Sequence, residues 1–407
     1  MLRRRFTSIS RDALESPLHR ALPGQAMIYL DNAATTPLLP EVREAMRPWL
    51  ETEFANPSSA HSAGVAARRA IDEARRTVAT FLHVPPDSIV FTSSGTEANN
   101  IAVKGLLLAR PERKRHAVAS AVEHPSVRHA LESLRPLGAE VSWIRPRASG
   151  AVDPEEVVAA VRPETSLMAV IHGQNEYGAL QPVSEIAALL RQRAPDVPLH
   201  VDAVQSFGKV PIEPKALGAA TLALSAHKIH GPKGAGALVV LTRRPLWPLL
   251  SGGGQEGGVR SGTENVAAIV GFGRAVSLLG DIAAPAAKMA AMRQKILARL
   301  QEMVSGTHVV GGDAPSLPHI VSVRFDQVLG EVLLHHLDAE GIQVSRGSAC
   351  QARKKDVSAT FAALGMNVEQ ARSVIRISLS RQTTEAEVER LLEVLPRTVA
   401  HLREVGC

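Results

Sequence analysis

Short apolar segments alternate with helical segments along most of the chain, and this alternation limits the possible folds more than any other feature. Helical spacing at residues 65–81 and 184–193 separates several of the apolar segments. Such alternation is typical of a mostly parallel sheet with helices on both faces. The sequence therefore predicts an α/β fold with strands at residues 27–31, 88–92, 116–119, 140–144, 167–172, 199–201, 220–224 and 237–241.

A glycine-rich segment at residues 251–262 interrupts this pattern. After it we expect a helix at 286–304, strands at 320–325 and 374–379, and a closing amphipathic helix at 385–403. A chain of 407 residues can form one large domain and one smaller domain. We predict a large domain at residues 27–282 and a smaller α+β domain at 283–407, with the N-terminal segment contributing to the smaller one.

Residues 1–26 are predicted to be a disordered leader. Their beginning is rich in Arg and Ser and has no acidic residue before Asp12, which is typical of a transit peptide, but Glu15 follows soon after. An apolar stretch of the secretory type is missing. We therefore expect a cytoplasmic protein, with an organellar matrix as the alternative if the leader is a transit peptide.

The composition argues against several function classes. The 46 Lys and Arg residues exceed the 40 Asp and Glu residues by a small margin, and aromatic residues are 3% of the chain, so nucleic-acid binding is not expected. No run of about eighteen apolar residues predicts a membrane-spanning helix. The two cysteines, Cys350 and Cys407, favour a reducing compartment over a disulfide framework.

A lysine and a carboxylate follow two expected strands. Lys228 lies where a strand gives way to a turn of small residues, and in a dry pocket such a lysine can form a Schiff base with a cofactor aldehyde. A surface loop lysine is the alternative, and the neighbouring Lys233 is typical of a turn. Asp202 ends an expected strand and precedes Lys228 by 26 residues, which is enough for one βαβ step to the adjacent strand. The alternative is that Asp202 is the N-cap of a helix. Together the two residues favour a pyridinium cofactor site.

Two further segments follow strands. The turn that contains Gly95 and Thr96 precedes an expected helix, whose free N–H groups and dipole could hold a phosphate. The glycine-rich residues 251–262 could also be a phosphate loop. They lack the Gly-Lys-Ser/Thr ending of a Walker motif, so a nucleoside triphosphate site is not expected there. His124 could stack on a cofactor ring or carry protons, or it could be a buried structural histidine.

Two residues of the C-terminal part complete the candidates. Cys350 lies in a Gly/Ser loop among basic residues, which favour its thiolate, although it could be an incidental loop thiol. Cys407 is the last residue, and no role is expected for it. Arg376 lies in an otherwise apolar strand and needs an anionic partner, either a substrate carboxylate or a structural ion pair.

Other site types fit less well. His335, His336 and Asp338 are close in sequence, but the spacings typical of metal sites are missing, so no metal is expected. A cysteine hydrolase would need a Cys–His pair and would leave Lys228 and Asp202 unexplained.

Taken together, these segments resemble the cysteine desulfurases, which use pyridoxal 5′-phosphate (PLP) to mobilise sulfur for iron–sulfur clusters and thio-cofactors. The resemblance runs from about Ile28 to about Arg403. Its motifs are YLDNAATTP at 29–37, NPSS at 56–59, SGTE at 94–97, EH at 123–124, NE at 175–176, VDA at 201–203, SAHK at 225–228, RSGT at 260–263 and GSAC at 347–350. It implies the PLP-transferase type I fold and the housekeeping and nitrogenase-associated branch of the family.

The resemblance also implies a role for each candidate residue and an obligate homodimer. Catalysis would fall to Lys228, Cys350 and His124, and the substrate carboxylate would be held by Asn175 and Arg376. The cofactor-binding residues would be Gly95, Thr96, His124, Asn175, Asp202, Gln205, Ser225, His227, Lys228 and, from the neighbouring subunit, Thr263. Within this set, Asp202 would pair with the ring nitrogen, while Thr96, Ser225 and His227 would hold the phosphate.

The expected reaction converts L-cysteine to L-alanine. Lys228 would be the base, with His124 assisting, and the Cys350 thiolate would take the sulfur as a persulfide. The alternatives are a selenocysteine lyase or another class V aminotransferase-like enzyme, and a non-catalytic sulfur carrier or scaffold-binding protein.

The chain departs from the usual family pattern at Arg346, Gln351, Ala352, Gln174 and Val204. These departures affect the choice of partner more than the chemistry. A sulfur acceptor or iron–sulfur scaffold protein is the expected partner. The basic run at 353–355 could dock an acidic scaffold, or it could be a solvated surface.

Overall fold

A computed structural model describes residues 27–109, 115–347 and 358–406. The strands are β1 Ile28–Tyr29, β2 Ile89–Thr92, β3 His116–Ser120, β4 Glu140–Ile144, β5 Thr165–Ile171, β6 Leu199–Asp202, β7 Thr221–Ser225, β8 Gly236–Val240, β9 Thr307–Val309, β10 Ile320–Phe325, β11 Ile342–Gln343 and β12 Val374–Ser378. The helices are α1 Pro40–Glu51, α2 Ser62–Phe81, α3 Gly95–Leu108, α4 Pro125–Glu132, α5 Pro154–Ala159, α6 Val183–Arg193, α7 Val266–Ser277, α8 Ala283–Met303, α9 Gly330–Ala339, α10 Ala359–Ala363, α11 Val368–Arg372 and α12 Glu385–Glu404.

Seven strands form the main sheet, in the order β2-β8-β7-β6-β5-β3-β4. Strand β8 runs antiparallel to both of its neighbours, and the other neighbouring pairs are parallel. All seven residues of β5 are buried, as expected for an apolar strand that is covered on both faces. The predicted α/β class with a mostly parallel mixed sheet is confirmed.

Helix α3 begins at Gly95, directly after the Ser94 cap. The Ser94 side chain accepts a hydrogen bond from the backbone N–H of Glu97 at 3.1 Å, which satisfies one of the free donors of the first turn. The helix is apolar along most of its length and lies largely buried against the sheet. The buried apolar side chains therefore hold the helix, and with it the helix N-terminus, against the sheet.

A second sheet has the order β12-β10-β9, and its strands are antiparallel. Helices α8, α9 and α12 contribute apolar side chains to the core that packs on it. Helix α12 begins with a capping box formed by Thr384 and Glu387. Strand β1 pairs in parallel with β11, so the segment that begins at residue 28 contacts the C-terminal part of the chain. The domain boundary at residues 282 and 283 stays a prediction, and residues 1–26 lie outside the described residues.

One expectation is wrong in detail. We expected a helix between the strand that ends at Asp202 and the strand before Lys228, as in a βαβ unit. In the structure, residues 203–220 form a series of turns, although β6 and β7 are parallel neighbours as that step requires. Several prolines and glycines in this segment interrupt a helix, but the short crossover still reaches the adjacent strand. Within the described ranges no helix is long and apolar enough to cross a membrane.

Candidate active site

A cavity of about 310 Å³ opens at the carboxyl ends of β6 and β7. Ligands of open α/β sheets bind at this edge, because loops from several strands converge there. The sequence-predicted residues that line the cavity are Gly95, Thr96, His124, Asn175, Asp202, Gln205, Ser225, His227, Lys228 and Arg376. Tertiary structure therefore brings together residues from six separate parts of the chain.

Lys228 lies in a short 3₁₀ turn, Ala226–Lys228, directly after β7. Its Nζ donates hydrogen bonds to the carbonyl oxygens of Ala33 at 2.6 Å and Ala34 at 2.7 Å, which are also at the cavity wall. Lys233 is exposed in the following turn and does not line the cavity, as its sequence context predicted. Of the two lysines, Lys228 is therefore the one placed to meet a ligand aldehyde.

Asp202 ends β6 and lies beside β7, where it pairs with Ala223 in the sheet register. It is almost completely buried, and both of its oxygens accept hydrogen bonds. The donors are the backbone N–H of Val204, at 3.0 Å from Oδ1, and Nδ2 of Asn99, at 2.8 Å from Oδ2. Because turns follow Asp202, the alternative of a helix cap is wrong.

The N-terminus of α3 forms one wall of the cavity. Gly95 is its first residue, and a Cβ atom there would lie 2.6 Å from Cγ2 of Val204, far closer than ordinary contact. The chain can therefore approach this closely only with glycine at position 95. The exposed N–H groups and the helix dipole favour an anion at this point, and Thr96 and Ser225 add hydroxyl groups.

His227 also lines the cavity, from the 3₁₀ turn that follows β7. Its Nδ1 lies 3.1 Å from Oγ1 of Thr35. Burial, with the positive charge of Lys228 next in importance, lowers the pKa of His227 to about 4. The imidazole is therefore neutral near pH 7, and it can serve a phosphate as a hydrogen-bond donor but not as a cation.

His124 is the N-cap of α4 and lines the cavity. Its Nδ1 accepts a hydrogen bond from the backbone N–H of Ser126 at 3.1 Å and lies 2.7 Å from the Ser126 hydroxyl. Burial lowers the pKa of His124, and the negative charge of Asp202 opposes this effect. His124 therefore combines the two alternatives that the sequence left open, since it has structural partners and also faces the cavity.

Arg376 lies in the middle of β12 and is 2% exposed. Nη2 forms an ion pair with Oδ1 of Asp31 at 2.7 Å, and Nη1 donates to the carbonyl oxygens of Asn175 at 2.7 Å and Gly347 at 3.2 Å. The structural ion pair that the sequence allowed is therefore present. Arg376 also lines the cavity, where Nε has no partner among the described residues.

Several buried polar atoms that belong to cavity-lining residues have no hydrogen-bond partner within the described chain. They include Asn175 Oδ1, Gln205 Oε1, Ser225 Oγ and Arg376 Nε. Buried polar groups are nearly always paired, so these atoms indicate a polar ligand that supplies the missing partners. A lysine, a buried carboxylate, a helix N-terminus and these donors and acceptors fit the amine-reactive aldehyde, ring nitrogen and phosphate of PLP.

Sequence reasoning assigned no role to three buried polar residues of this cavity. Asn99 contacts Asp202, and the carboxyl groups of Glu123 and Glu176 are completely enclosed. Burial raises the pKa of Glu123 to about 8 and also raises the pKa of Glu176. Both acids belong to the quoted motifs, and their position beside His124 and Asn175 was the available signal.

The structure does not place two of the predicted residues at this cavity. Thr263 is exposed in the loop before α7 and does not line the cavity of its own chain. Cys350 lies outside the described residues, but the residues on either side of that gap are close to the site. Gly347 accepts a hydrogen bond from Arg376, and Ser358 lines the cavity. Among the described side chains, no group of three or more His, Cys, Asp or Glu residues could hold a metal ion.

Comparison with known proteins agrees with this geometry. The family model for class V aminotransferases matches residues 28–391. The chain is 38% identical to the cysteine desulfurase IscS of Dictyoglomus turgidum, over 93% of this chain and 96% of that protein. It is 42% identical to a cysteine desulfurase of Cereibacter sphaeroides, over 93% of this chain and 97% of that one.

The chain belongs to the cysteine desulfurase family.

Solved structures lead to the same family. A NifS-like protein aligns with a TM-score of 0.86 and 33% identity, over 92% of this chain and 100% of the other. A structure described as SspA in complex with cysteine aligns with a TM-score of 0.78 and 36% identity, over 88% of this chain and 100% of the other. Cysteine desulfurases and class V aminotransferases are PLP-dependent enzymes. The predicted family, fold class and enzyme class are therefore confirmed.

Proposed function

We propose that this protein is a cysteine desulfurase that binds PLP through Lys228 and converts L-cysteine to L-alanine. One observation carries the proposal. Lys228 and Asp202 follow or end neighbouring strands and line the same cavity. Other residues of this lining have buried polar atoms that lack a partner in the described chain. PLP, when bound, supplies an aldehyde that reacts with amines and a ring that takes up electrons from a neighbouring carbon.

The cofactor would be held by residues from several strands and from the beginning of α3. Asp202 would pair with the ring nitrogen, since it is buried and already held by two donors. Gln205 Oε1 and Ser225 Oγ have no partner in the described chain and would contact the ring substituents and the phosphate. The backbone N–H groups at the N-terminus of α3 would stabilise the negative charge of the phosphate.

The substrate carboxylate would be bound next to Arg376. Asp31 already holds Nη2 of this arginine and so orients the guanidinium plane, while Nε has no partner in the described chain. A carboxylate that accepts from Nε would satisfy this buried donor. Asn175 also lines the cavity, and its side-chain Oδ1 has no partner in the described chain, so its amide would complete the binding site.

Lys228 is proposed to move the proton at the substrate α-carbon. Its amine is next to the carbonyl groups of Ala33 and Ala34, so it has defined acceptors when it is not covalently engaged. Lys209 donates from its Nζ to the Lys228 carbonyl at 2.5 Å and so restrains the backbone of this lysine.

Sulfur transfer would require Cys350. Its thiolate would attack the substrate sulfur, so that a sulfur–sulfur bond forms as the carbon–sulfur bond breaks. The electrons of the broken bond remain with the former substrate carbon, which takes up a proton and leaves as alanine. L-cysteine and the Cys350 thiol thus become alanine and a Cys350 persulfide, with no external oxidant.

Several further assignments are part of the same proposal. Thr263 is exposed, which suits a contact with the phosphate of a neighbouring subunit in a homodimer. A sulfur acceptor or an iron–sulfur scaffold protein would remove the persulfide sulfur. A cytoplasmic location suits the free thiol that this chemistry requires.

The test is to record the absorption spectrum of the purified protein with and without L-cysteine while alanine and persulfide are assayed. We expect a yellow protein that forms alanine and a persulfide on Cys350. Cys350→Ala should keep the spectrum but form no alanine. A colourless protein would refute the role of Lys228. A yellow protein that makes no alanine would indicate another PLP substrate, and full sulfide production by Cys350→Ala would refute the nucleophile.

A further inference from the structure

Asn99 lies at the centre of a buried hydrogen-bond network at the wall of the cavity. It is 1% exposed and lies on α3. Its Nδ2 donates to Oδ2 of Asp202 and to Oγ of Ser126, both at 2.8 Å. Its Oδ1 lies 2.9 Å from Nε2 of His200. One amide group therefore joins β6, α3 and the beginning of α4.

The orientation of this amide follows from its partners. A carboxylate accepts hydrogen bonds and does not donate them, so the NH₂ group of Asn99 must face Asp202. Its oxygen then faces His200, which must carry a proton on Nε2. Burial lowers the pKa of His200 to about 4, so this ring is neutral near pH 7. Its Nδ1 can therefore accept from the hydroxyl of Thr221, which lies 2.9 Å away.

The same network determines which nitrogen of His124 carries the proton. The backbone N–H of Ser126 points at His124 Nδ1, so Nδ1 must be an acceptor. Asn99 already donates to Oγ of Ser126, so the hydroxyl hydrogen of Ser126 is directed at Nδ1 as well, over 2.7 Å. A neutral His124 therefore carries its proton on Nε2, the ring nitrogen that these bonds leave available to the cavity.

We propose that Asn99 is a positioning residue, which orients the Asp202 carboxylate and, through Ser126, holds His124 as the Nε2–H tautomer. Its bearing on catalysis rests on the proposed function. His124 then enters the reaction as a donor to the bound ligand, and not as the assisting base that the sequence suggested. The charged or titratable groups that affect His124 are Asp202, Lys228 and His129.

Three variants separate the two branches of the network. Ser126→Ala removes the hydroxyl donor to His124 and leaves the bonds of Asp202 in place. Asn99→Leu removes the bonds to Asp202 and to Ser126, so the Ser126 hydroxyl is no longer held and can turn to accept from a protonated His124. Ser142→Ala is the matched control, because its hydroxyl lies 3.0 Å from Nε2 of another buried histidine, His116, outside the cavity lining.

The measurement is ¹⁵N NMR titration of the histidine rings in the full chain after removal of the cofactor. In the wild type we expect the Nε2–H tautomer at His124. Ser126→Ala and Asn99→Leu should each raise the proton affinity of His124 about fivefold, the factor that one neutral hydrogen bond contributes. Ser142→Ala should leave His124 unchanged.

Cofactor binding provides the second readout. Asn99→Leu should weaken PLP binding about tenfold and shift the absorption band of bound PLP, because Asp202 loses the amide that orients it. Ser126→Ala should leave the band in place, so a general loss of structure would not reproduce this pattern. If Asn99→Leu does not fold, Ser126→Ala alone still tests the branch to His124.

An Nδ1–H tautomer in the wild type would overturn the proposal, and so would an unchanged proton affinity of His124 in both cavity variants. The titration uses cofactor-free protein and needs no substrate. Failure of the proposed desulfurase activity would therefore leave the tautomer result intact, and the two failures can be distinguished.

Discussion

The close contact between Gly95 and Val204 allows a quantitative test of the phosphate site. In Gly95→Ala, the new Cβ would lie 2.6 Å from Cγ2 of Val204, while its next contact, with Cβ of Ser225, is at an ordinary 3.5 Å. Valine has a stiff χ1 angle, so its methyl group cannot easily turn away. The clash therefore involves essentially one methyl group.

The magnitude follows from the size of this overlap. Carbon atoms pack at about 3.5–4.0 Å, so the backbone of Gly95 or the Val204 side chain must move by roughly 1 Å. Overpacking of this kind costs about 1–3 kcal/mol. Much of the displacement would fall on the N–H groups at the beginning of α3. If about 2 kcal/mol of phosphate binding is lost, the dissociation constant of PLP rises about 30-fold.

A double-mutant cycle tests this explanation. PLP affinity would be measured by absorption titration of cofactor-free protein for the wild type, Gly95→Ala, Val204→Ala and the double variant. Val204→Ala removes the clashing methyl group, so the double variant should regain most of the lost affinity. Val204→Ala alone should bind PLP nearly as the wild type does. Wild-type affinity in Gly95→Ala, or no recovery in the double variant, would refute the reasoning.

Three further predictions concern charged groups. Arg376→Lys should lower kcat/KM for L-cysteine about 100-fold, mostly through KM, because the ammonium cannot hold Asp31 and a carboxylate in one plane; steady-state kinetics will show this. Burial raises the pKa of Glu123 to about 8, so the folded protein keeps a proton there that the unfolded chain releases near pH 4.5. The stability of the wild type should therefore fall with rising pH between about 5 and 8, by roughly 3 kcal/mol more than that of Glu123→Gln in urea unfolding. Glu256 is buried and accepts from both Nη atoms of Arg75, at 2.7 and 2.9 Å, so Glu256→Gln should lower the free energy of unfolding by about 2 kcal/mol.

Each of these three predictions has a control or a result that would contradict it. Glu302→Gln removes the partner of Arg299 in an exposed ion pair and should change the free energy of unfolding by less than about 0.5 kcal/mol. If Glu256→Gln and Glu302→Gln lowered the free energy of unfolding by similar amounts, burial of Glu256 would have no special role. Parallel pH–stability curves for the wild type and Glu123→Gln would show that Glu123 does not hold the proton. An unchanged KM in Arg376→Lys would remove this arginine from substrate binding.

Much of the site could be predicted because chemistry-bearing residues follow strands. Asp202 and Lys228 each end an apolar segment, and the carboxyl ends of neighbouring parallel strands meet at one edge of a sheet. The turn at Gly95 could be predicted for the same reason. The glycine-rich loop and the long helix α8 also fall close to their expected positions.

Other features depend on partners that are far away in sequence. Asn99 is an ordinary helix residue until β6 brings Asp202 and His200 against it, 103 and 101 residues away. The ion pair between Arg376 and Asp31 spans 345 residues. No local pattern reports such pairs, so the sequence alone left two alternatives open for Arg376.

Local chemistry in the sequence therefore determined the order of strands and helices, the α/β class, the lysine at a strand end and the glycine at the cavity wall. Hydrophobic periodicity and backbone preferences act over a few residues, and they can be read directly along the chain. Tertiary structure alone decided the antiparallel direction of β8, the turns between β6 and β7, the proton positions on His124 and His200, and the raised pKa of Glu123. Burial and long-range hydrogen bonds control these properties, and they exist only once distant segments have packed together.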